Sequence, residues 1–372
     1  MTSPTRDESW LEVPNSITWA VAGARKTQQI VDACTEPASG RLRLAVTFTT
    51  TGQDELTRRL SAACPASERP DVLGWYGFLI RHWVKPYLPA LYPSRVVTGF
   101  NFDGDPGFAT GAARHFDADG RVYKRHLAKL AYDVNQASGG APVRRLESIY
   151  SEIFIDEIQD LNGWDLEIVD LLLRSGIDIR MVGDPRQCVY MTNAADQKNR
   201  QFKGMRISRW FGESQRSARV TTDTSSISHR SISEVMTFAD SIFPASFGFP
   251  RSSSAQLRMH EHMGIWAVST ENLDAYVEEF RPLLLTWDKR DRSRLGHASR
   301  NMGEVKGITT DHVLIVPTRP IRDFLASGTP LSETSACKLY VAATRAIFSV
   351  AFLTDSPLAG LECWQPAVTE CR

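Results

Sequence analysis

The chain has 372 residues, 42% of them hydrophobic, with 43 Lys and Arg set against 43 Asp and Glu for a formal net charge of zero. That length and apolar content suffice for two domains with substantial cores. The charge balance gives no argument for nucleic-acid binding, but does not exclude a basic cleft offset by acidic outer faces. No apolar run spans a membrane and no charged and apolar leader opens the sequence, so a cytoplasmic location is expected. The six Cys, at 34, 64, 188, 337, 363 and 371, form no CxxC pair and read as buried or incidental residues of a reducing compartment.

The first expected element is a strand at 17–21, which runs into Ala20-Val21-Ala22-Gly23-Ala24-Arg25-Lys26-Thr27 and then a helical QQIVDAC. This is a phosphate loop with two departures, since the pattern wants Gly at its first and sixth positions, where Ala20 and Arg25 stand. Gly23, Arg25, Lys26 and Thr27 are the expected nucleotide contacts. Lys26 is placed to reach phosphates, Thr27 to ligate Mg²⁺, and the helix N-terminus to favour an anion. Arg25 leaves two readings open: its guanidinium adds a phosphate contact, or the loop is open and binds weakly.

Residues 61–149 separate this loop from the next chemistry-bearing strand and read as an inserted, mainly helical subdomain. Within it Trp75, Tyr76, Phe78 and Trp83 recur too closely to be anything but mostly core. Arg121, Lys124, Arg125, His126 and Lys129 make a basic face that fits either a sugar-phosphate backbone or a solvated helix surface.

From 151 to 190 the chain reads SEIFIDEIQDLNGWDLEIVDLLLRSGIDIRMVGDPRQCVY. A short apolar strand ends in Asp156-Glu157, where one carboxylate can hold Mg²⁺ beneath a triphosphate while its neighbour orients the attacking water. A second run, 179–182, ends in Gly183-Asp184 and is followed by Gln187, whose amide is suited to sensing a γ-phosphate. Two strands of one parallel sheet would aim both sets at the same edge, where such sheets bind ligands. An acidic pair after a strand is also an ordinary turn before a helix. His260-Glu261-His262 reads as surface and no zinc or iron–sulfur site is expected, so a single Mg²⁺ is the metal of the scheme.

With these residues in place the chain resembles the superfamily 1 helicases of the Rep/UvrD type. Leu44-Ala45-Val46-Thr47-Phe48-Thr49 looks like that family's first strand-borne DNA contact, Asp156-Glu157-Ile158-Gln159-Asp160 like its hydrolytic motif, and Gly183-Asp184-Pro185-Arg186-Gln187-Cys188-Val189-Tyr190 like the next. Ser228-His229-Arg230-Ser231 is similar to the segment that opens the second motor domain. Val305-Lys306-Gly307-Ile308 is similar to the motif coupling nucleotide to DNA, and Leu339-Tyr340-Val341-Ala342-Ala343-Thr344-Arg345-Ala346 to the arginine-finger helix.

The resemblance implies an α/β protein of two RecA-like P-loop NTPase domains, with a helical insertion in the first and little or no large insertion in the second. The expected boundaries are 1–60 and 150–225 for the first domain, 61–149 for the insertion and 226–372 for the second. It further implies Arg230 as a γ-phosphate contact, His229 against the base, Gly307 near the nucleotide, and Arg345 as the finger. Phe48, Thr49 and Tyr190 become contacts to single-stranded DNA, with RNA not excluded and movement 3′ to 5′. The departures are Ala20, Arg25, the lack of an adenine-reading Gln in 10–18, Thr309 and Thr310 where an acidic and an aromatic residue are usual, and no Trp-Arg-Gly after Tyr190. An ATP- and Mg²⁺-dependent translocase is thus expected. The alternatives are a non-hydrolysing helicase-shaped scaffold and a nucleic-acid-activated ATPase working with a nuclease.

Overall fold

The computed structural model describes residues 15–36, 42–193, 195–287, 295–356, 358 and 360–366. In the first part of the chain the strands are β1 (Asn15–Ala20), β2 (Leu42–Thr47), β3 (Asp71–Gly74), β4 (Gly99–Asn101), β5 (Arg121–Tyr123), β6 (Tyr150–Ile155), β7 (Asp178–Gly183) and β8 (Val220–Ser225). They are followed by β9 (Ile227–Ser228), β10 (Ser253–Ser254), β11 (Gly264–Val268), β12 (Leu283–Thr286), β13 (Arg300–Asn301), β14 (Thr310–Ile315), β15 (Ala346–Leu353) and β16 (Glu362–Cys363). Two six-stranded sheets result, ordered β3-β2-β6-β7-β1-β8 and β13-β12-β14-β15-β11-β16. The pairs β2–β3, β2–β6 and β6–β7 are parallel in the first, as are all five neighbouring pairs of the second. The expectation of two α/β cores is met at this level.

Contacts group the chain into two compact units. The first takes residues up to 18, then 30–182 and 192–223; the second takes 19–29, 183–191 and 224 onward.

In the first unit β6 is buried along nearly its whole length, as a continuous apolar run between two parallel neighbours requires. Ile153 pairs with Leu44 on one side and Ile179 on the other. Buried Asn15 fixes the start of β1: its side chain accepts from Ile179 N at 3.0 Å and donates to the Leu173 and Arg219 carbonyls at 3.1 Å. Across β2, β6 and β7, Glu152 takes Arg43 at 2.5 Å and Arg180 at 2.8 Å.

Strand β3 falls within the span expected to be inserted, yet pairs with β2 as an edge of the main sheet, with Val72 packed on the cluster of Ala45, Leu56 and Leu60. Beyond it, Trp75, Phe78 and Trp83 are buried and Tyr76 half-buried, and the helices Leu127–Ala137 and Ala141–Ile149 follow a short β4–β5 ribbon. The basic run is largely neutralised within this region: Arg121 pairs with Asp117 at 2.8 Å, Arg125 pairs with Asp105, and Lys129 pairs with Asp133.

In the second unit β15 lies between β14 and β11 and is buried over seven of its eight residues. The 273–285 stretch divides at Pro282. The helix is Leu273–Phe280, Arg281 turns to φ 45°, and after Pro282 the chain becomes β12, which pairs with β14. Proline forbids the helical bond and clashes with the preceding turn, so the apolar Leu283–Leu285 run serves the sheet instead. No helix among the described residues is long and apolar enough to cross a membrane.

Candidate functional site

The acidic loop belongs to the first unit. β6 delivers Asp156 at its C-terminal end, where the Asp156 amide donates to Val46 O at 2.9 Å and the carboxyl is nearly buried. Asp156 Oδ1 accepts the Glu157 amide at 2.9 Å, and Glu157 is held at φ 57°, a left-handed conformation that costs a non-glycine residue about 1–2 kcal/mol. Its Oε2 accepts Gln159 Nε2 at 2.7 Å. Strain of this kind concentrates at functional turns. Downstream, Thr192 steadies the loop: its amide donates to Asp160 O at 3.0 Å and its hydroxyl binds Asn162 Oδ1 at 3.0 Å and the Asp165 carboxylate. Asp165 also accepts Trp75 Nε1 at 2.6 Å, and burial pushes its carboxyl up to about 6.

Phe48 and Thr49 follow β2 in the same unit. Phe48 meets Tyr76 edge-on with ring centroids 5.7 Å apart, and Thr49 caps the helix Thr50–Ala63 by accepting Gly52 N at 3.0 Å.

The phosphate-type loop belongs to the second unit. Gly23 has φ 79° and Arg25 φ 57°. The sixth position therefore keeps a glycine's backbone without a glycine, and the Arg25 side chain stands exposed. Lys26 opens the helix Lys26–Thr35; its Nζ lies 3.3 and 3.4 Å from the Ala20 and Val21 carbonyls, and it is almost fully buried. Thr27 is half-buried on the next residue of that helix. The His229 amide donates to Gly23 O at 3.0 Å while its ring is exposed. The Ala22 amide donates to the Tyr340 hydroxyl at 3.1 Å.

Tyr340 in turn donates to Asp184 Oδ2 at 3.0 Å, so one buried phenol joins the loop to a buried carboxylate. Burial works to raise the Asp184 carboxyl, but the cations Arg186 and Lys26 outweigh it and hold it below the usual carboxylate range. Gln187 donates to the same Oδ2 at 3.0 Å, and Arg186 bridges Asp184 and Asp240 at 3.0 and 3.1 Å. Tyr190 is half-buried at the end of this segment. Arg230 reaches the Thr344 carbonyl at 3.1 Å. Arg345 is buried, with Nε on Val341 O at 2.9 Å and Nη1 on Ile308 O at 3.4 Å. Gly307 sits beside that carbonyl at φ 89° with open space where a side chain would begin.

The site residues thus fall into two sets. Asp156, Glu157, Phe48 and Thr49 lie in the first unit, and Gly23, Arg25, Lys26, Thr27, Gln187, Tyr190, His229, Arg230, Gly307 and Arg345 in the second. Asp184 and Tyr340 hold the second set together without having been singled out as site residues. The available signal for them was position: each lies inside a motif-like segment, three residues before Gln187 and five before Arg345. A β-carbon on Gly23 would fall 2.8 Å from Arg230 Cβ and against Ser228 Oγ. Gly23→Ala is therefore expected to lower stability by about 1–3 kcal/mol, through this clash and its positive φ, read as a fall in the thermal midpoint.

Asp156 in the first unit and Thr27 in the second each carry a hard oxygen of the kind Mg²⁺ prefers. Among the described residues no group of three or more His, Cys, Asp and Glu gathers as a metal site by itself.

Residues 126–203 match the family model described as the UvrD/REP helicase N-terminal domain. This span contains the acidic loop, β7 and the Asp184–Gln187 turn. Among solved structures, the arterivirus nonstructural protein 10 helicase is similar at 14% identity and a TM-score of 0.48, covering 92% of this chain and 60% of its own. Its complex with DNA is similar at 15% identity and a TM-score of 0.47, covering 92% and 61%. The chain thus spans about 60% of the length of either. A comparison with curated proteins finds no match.

Proposed function

We propose that the protein is a nucleotide-driven motor of the superfamily 1 helicase kind, hydrolysing ATP with Mg²⁺ to move 3′ to 5′ along single-stranded DNA. The observation that carries this reading is the strained Asp156-Glu157 turn at the C-terminal end of a buried parallel strand, inside the segment that matches the UvrD/REP helicase N-terminal model. Lys26, Arg25 and Arg230 would hold phosphates; Thr27 and Asp156 would each offer an oxygen to the cation, which would supply positive charge to offset that of the phosphates. Glu157 takes the proton of the attacking water and Gln187 orients it. Arg345 stabilises the charge that develops on the transferred group. Gly307 leaves room beside the nucleotide, His229 lies against the base, and Phe48, Thr49 and Tyr190 contact the strand, where aromatic faces stack without demanding sequence.

The loop's own bonds set a condition on this mechanism. The Ala22 amide and Lys26 Nζ are held by Tyr340 and by the Ala20 and Val21 carbonyls. A triphosphate must exchange these partners for its own oxygens, so basal nucleotide affinity should be low and should rise when the loop is released. The same observation favours a second reading, a helicase-shaped scaffold or regulatory subunit that does not hydrolyse ATP; a nuclease partner for either form would appear as a co-purifying activity. ATP turnover measured with and without single-stranded DNA separates the two. Strand-stimulated turnover supports the motor, and an unchanged background rate supports the scaffold.

A further inference from the structure

The first unit carries a second polar feature that the motor scheme does not use. Gln197, Arg200, Gln201, Lys203 and Arg206 line an open concavity of about 650 Å³, three cations and two amides with no carboxylate among them. The segment is built in place. Asp196 accepts Trp164 N at 3.2 Å and Lys198 N at 3.0 Å, and Asn199, at φ 54°, donates to Gly163 O at 3.0 Å and to Glu167 at 2.9 Å. Two short 3₁₀ turns follow, Arg200–Phe202 and Gly204–Arg206. Arg200 and Arg206 come from the two turns and Lys203 from the extended residue between them, and all three line the one concavity. The Gly204–Arg206 turn packs on the Ile158–Asp160 turn that follows Glu157.

We propose that this concavity binds the sugar-phosphate backbone of a single nucleic-acid strand, and that its occupancy is felt at the acidic loop through the Gly204–Arg206 turn. Guanidinium and ammonium groups neutralise successive phosphates while the two amides donate to phosphate or sugar oxygens, contacts that fix a strand without reading its sequence. The inference deepens the proposed function by naming a backbone contact away from Phe48, Thr49 and Tyr190, and it rests on that reading for its link to hydrolysis.

The test is binding of a fluorescent oligo-dT to the full chain without nucleotide, across a salt series, for the parent, Arg200→Ala and Arg200→Ala/Lys203→Ala, with Arg200→Lys as control. The slope of log affinity against log salt should become shallower by about 0.7 for each cation removed. It should be restored in Arg200→Lys and change alike on mixed-sequence strands. In turnover assays the double variant should need several-fold more strand for half-maximal stimulation, with strand-free turnover unchanged. Inorganic tripolyphosphate is the second probe: if it alone displaces the strand from the parent at stoichiometric concentration, the cavity is a free-anion site and the proposal fails. Parental slopes in the folded double variant also overturn it while leaving strand-stimulated hydrolysis intact. A parent that binds strand with the expected slopes but hydrolyses nothing would instead remove the motor and keep the backbone site.

Discussion

Glu157→Gln is expected to lower strand-stimulated ATP turnover by about 10²–10⁴-fold, the usual contribution of a positioned general base, while leaving the fold and strand binding intact. The substitution is nearly isosteric, and the contact at stake in the turn, acceptance of Gln159 Nε2 at 2.7 Å, can pass to the new amide oxygen. The φ of 57° and the bond from the Glu157 amide to Asp156 Oδ1 belong to the backbone and do not depend on the side-chain charge. A thermal midpoint close to the parent's, together with the loss of turnover, would assign the effect to chemistry. Equal turnover in the two proteins would remove Glu157 from the mechanism and leave its strained backbone without a catalytic reason.

The parts legible in the sequence are those set by local pattern. The largely apolar 153–155 and 179–182 runs are adjacent parallel strands, and the carboxylates Asp156 and Asp184 follow directly at their C-terminal ends. The strand-loop-helix order around Gly23 and Lys26 was legible for the same reason. Long-range pairing was not. Residues 71–74 form an edge strand only because Val72 finds the cluster around Ala45, and 283–286 form one because Pro282 ends the helix and β14 is there to pair. The grouping of 19–29 and 183–191 with 224 onward draws on contacts such as Tyr340 meeting Ala22 and Asp184 from more than 150 residues away. No periodicity encodes such a contact. Arg25 is a further case: the sequence shows a lost glycine, and only the structure shows that its left-handed backbone persists with the side chain turned to solvent.

Arg345→Lys is expected to cost at least about 10³-fold in turnover, in the range that an arginine finger contributes, with nucleotide affinity changed only a few-fold. Lysine keeps the charge but loses the planar fork that meets two oxygens at once. Arg345 also has a structural occupation: its guanidinium holds the Val341 and Ile308 carbonyls and the Thr344 hydroxyl. Lysine can retain one of these contacts, so stability should fall by about 1–3 kcal/mol as buried acceptors lose their partner. The two roles separate when turnover is expressed per folded molecule at a temperature well below the variant's midpoint. A finger that must leave these carbonyls to reach the phosphoryl group predicts that the loss of turnover persists under those conditions. A purely structural Arg345 predicts that turnover recovers fully while the midpoint stays low, and that result would confine the residue to tying the Gly307 segment to the end of its own helix.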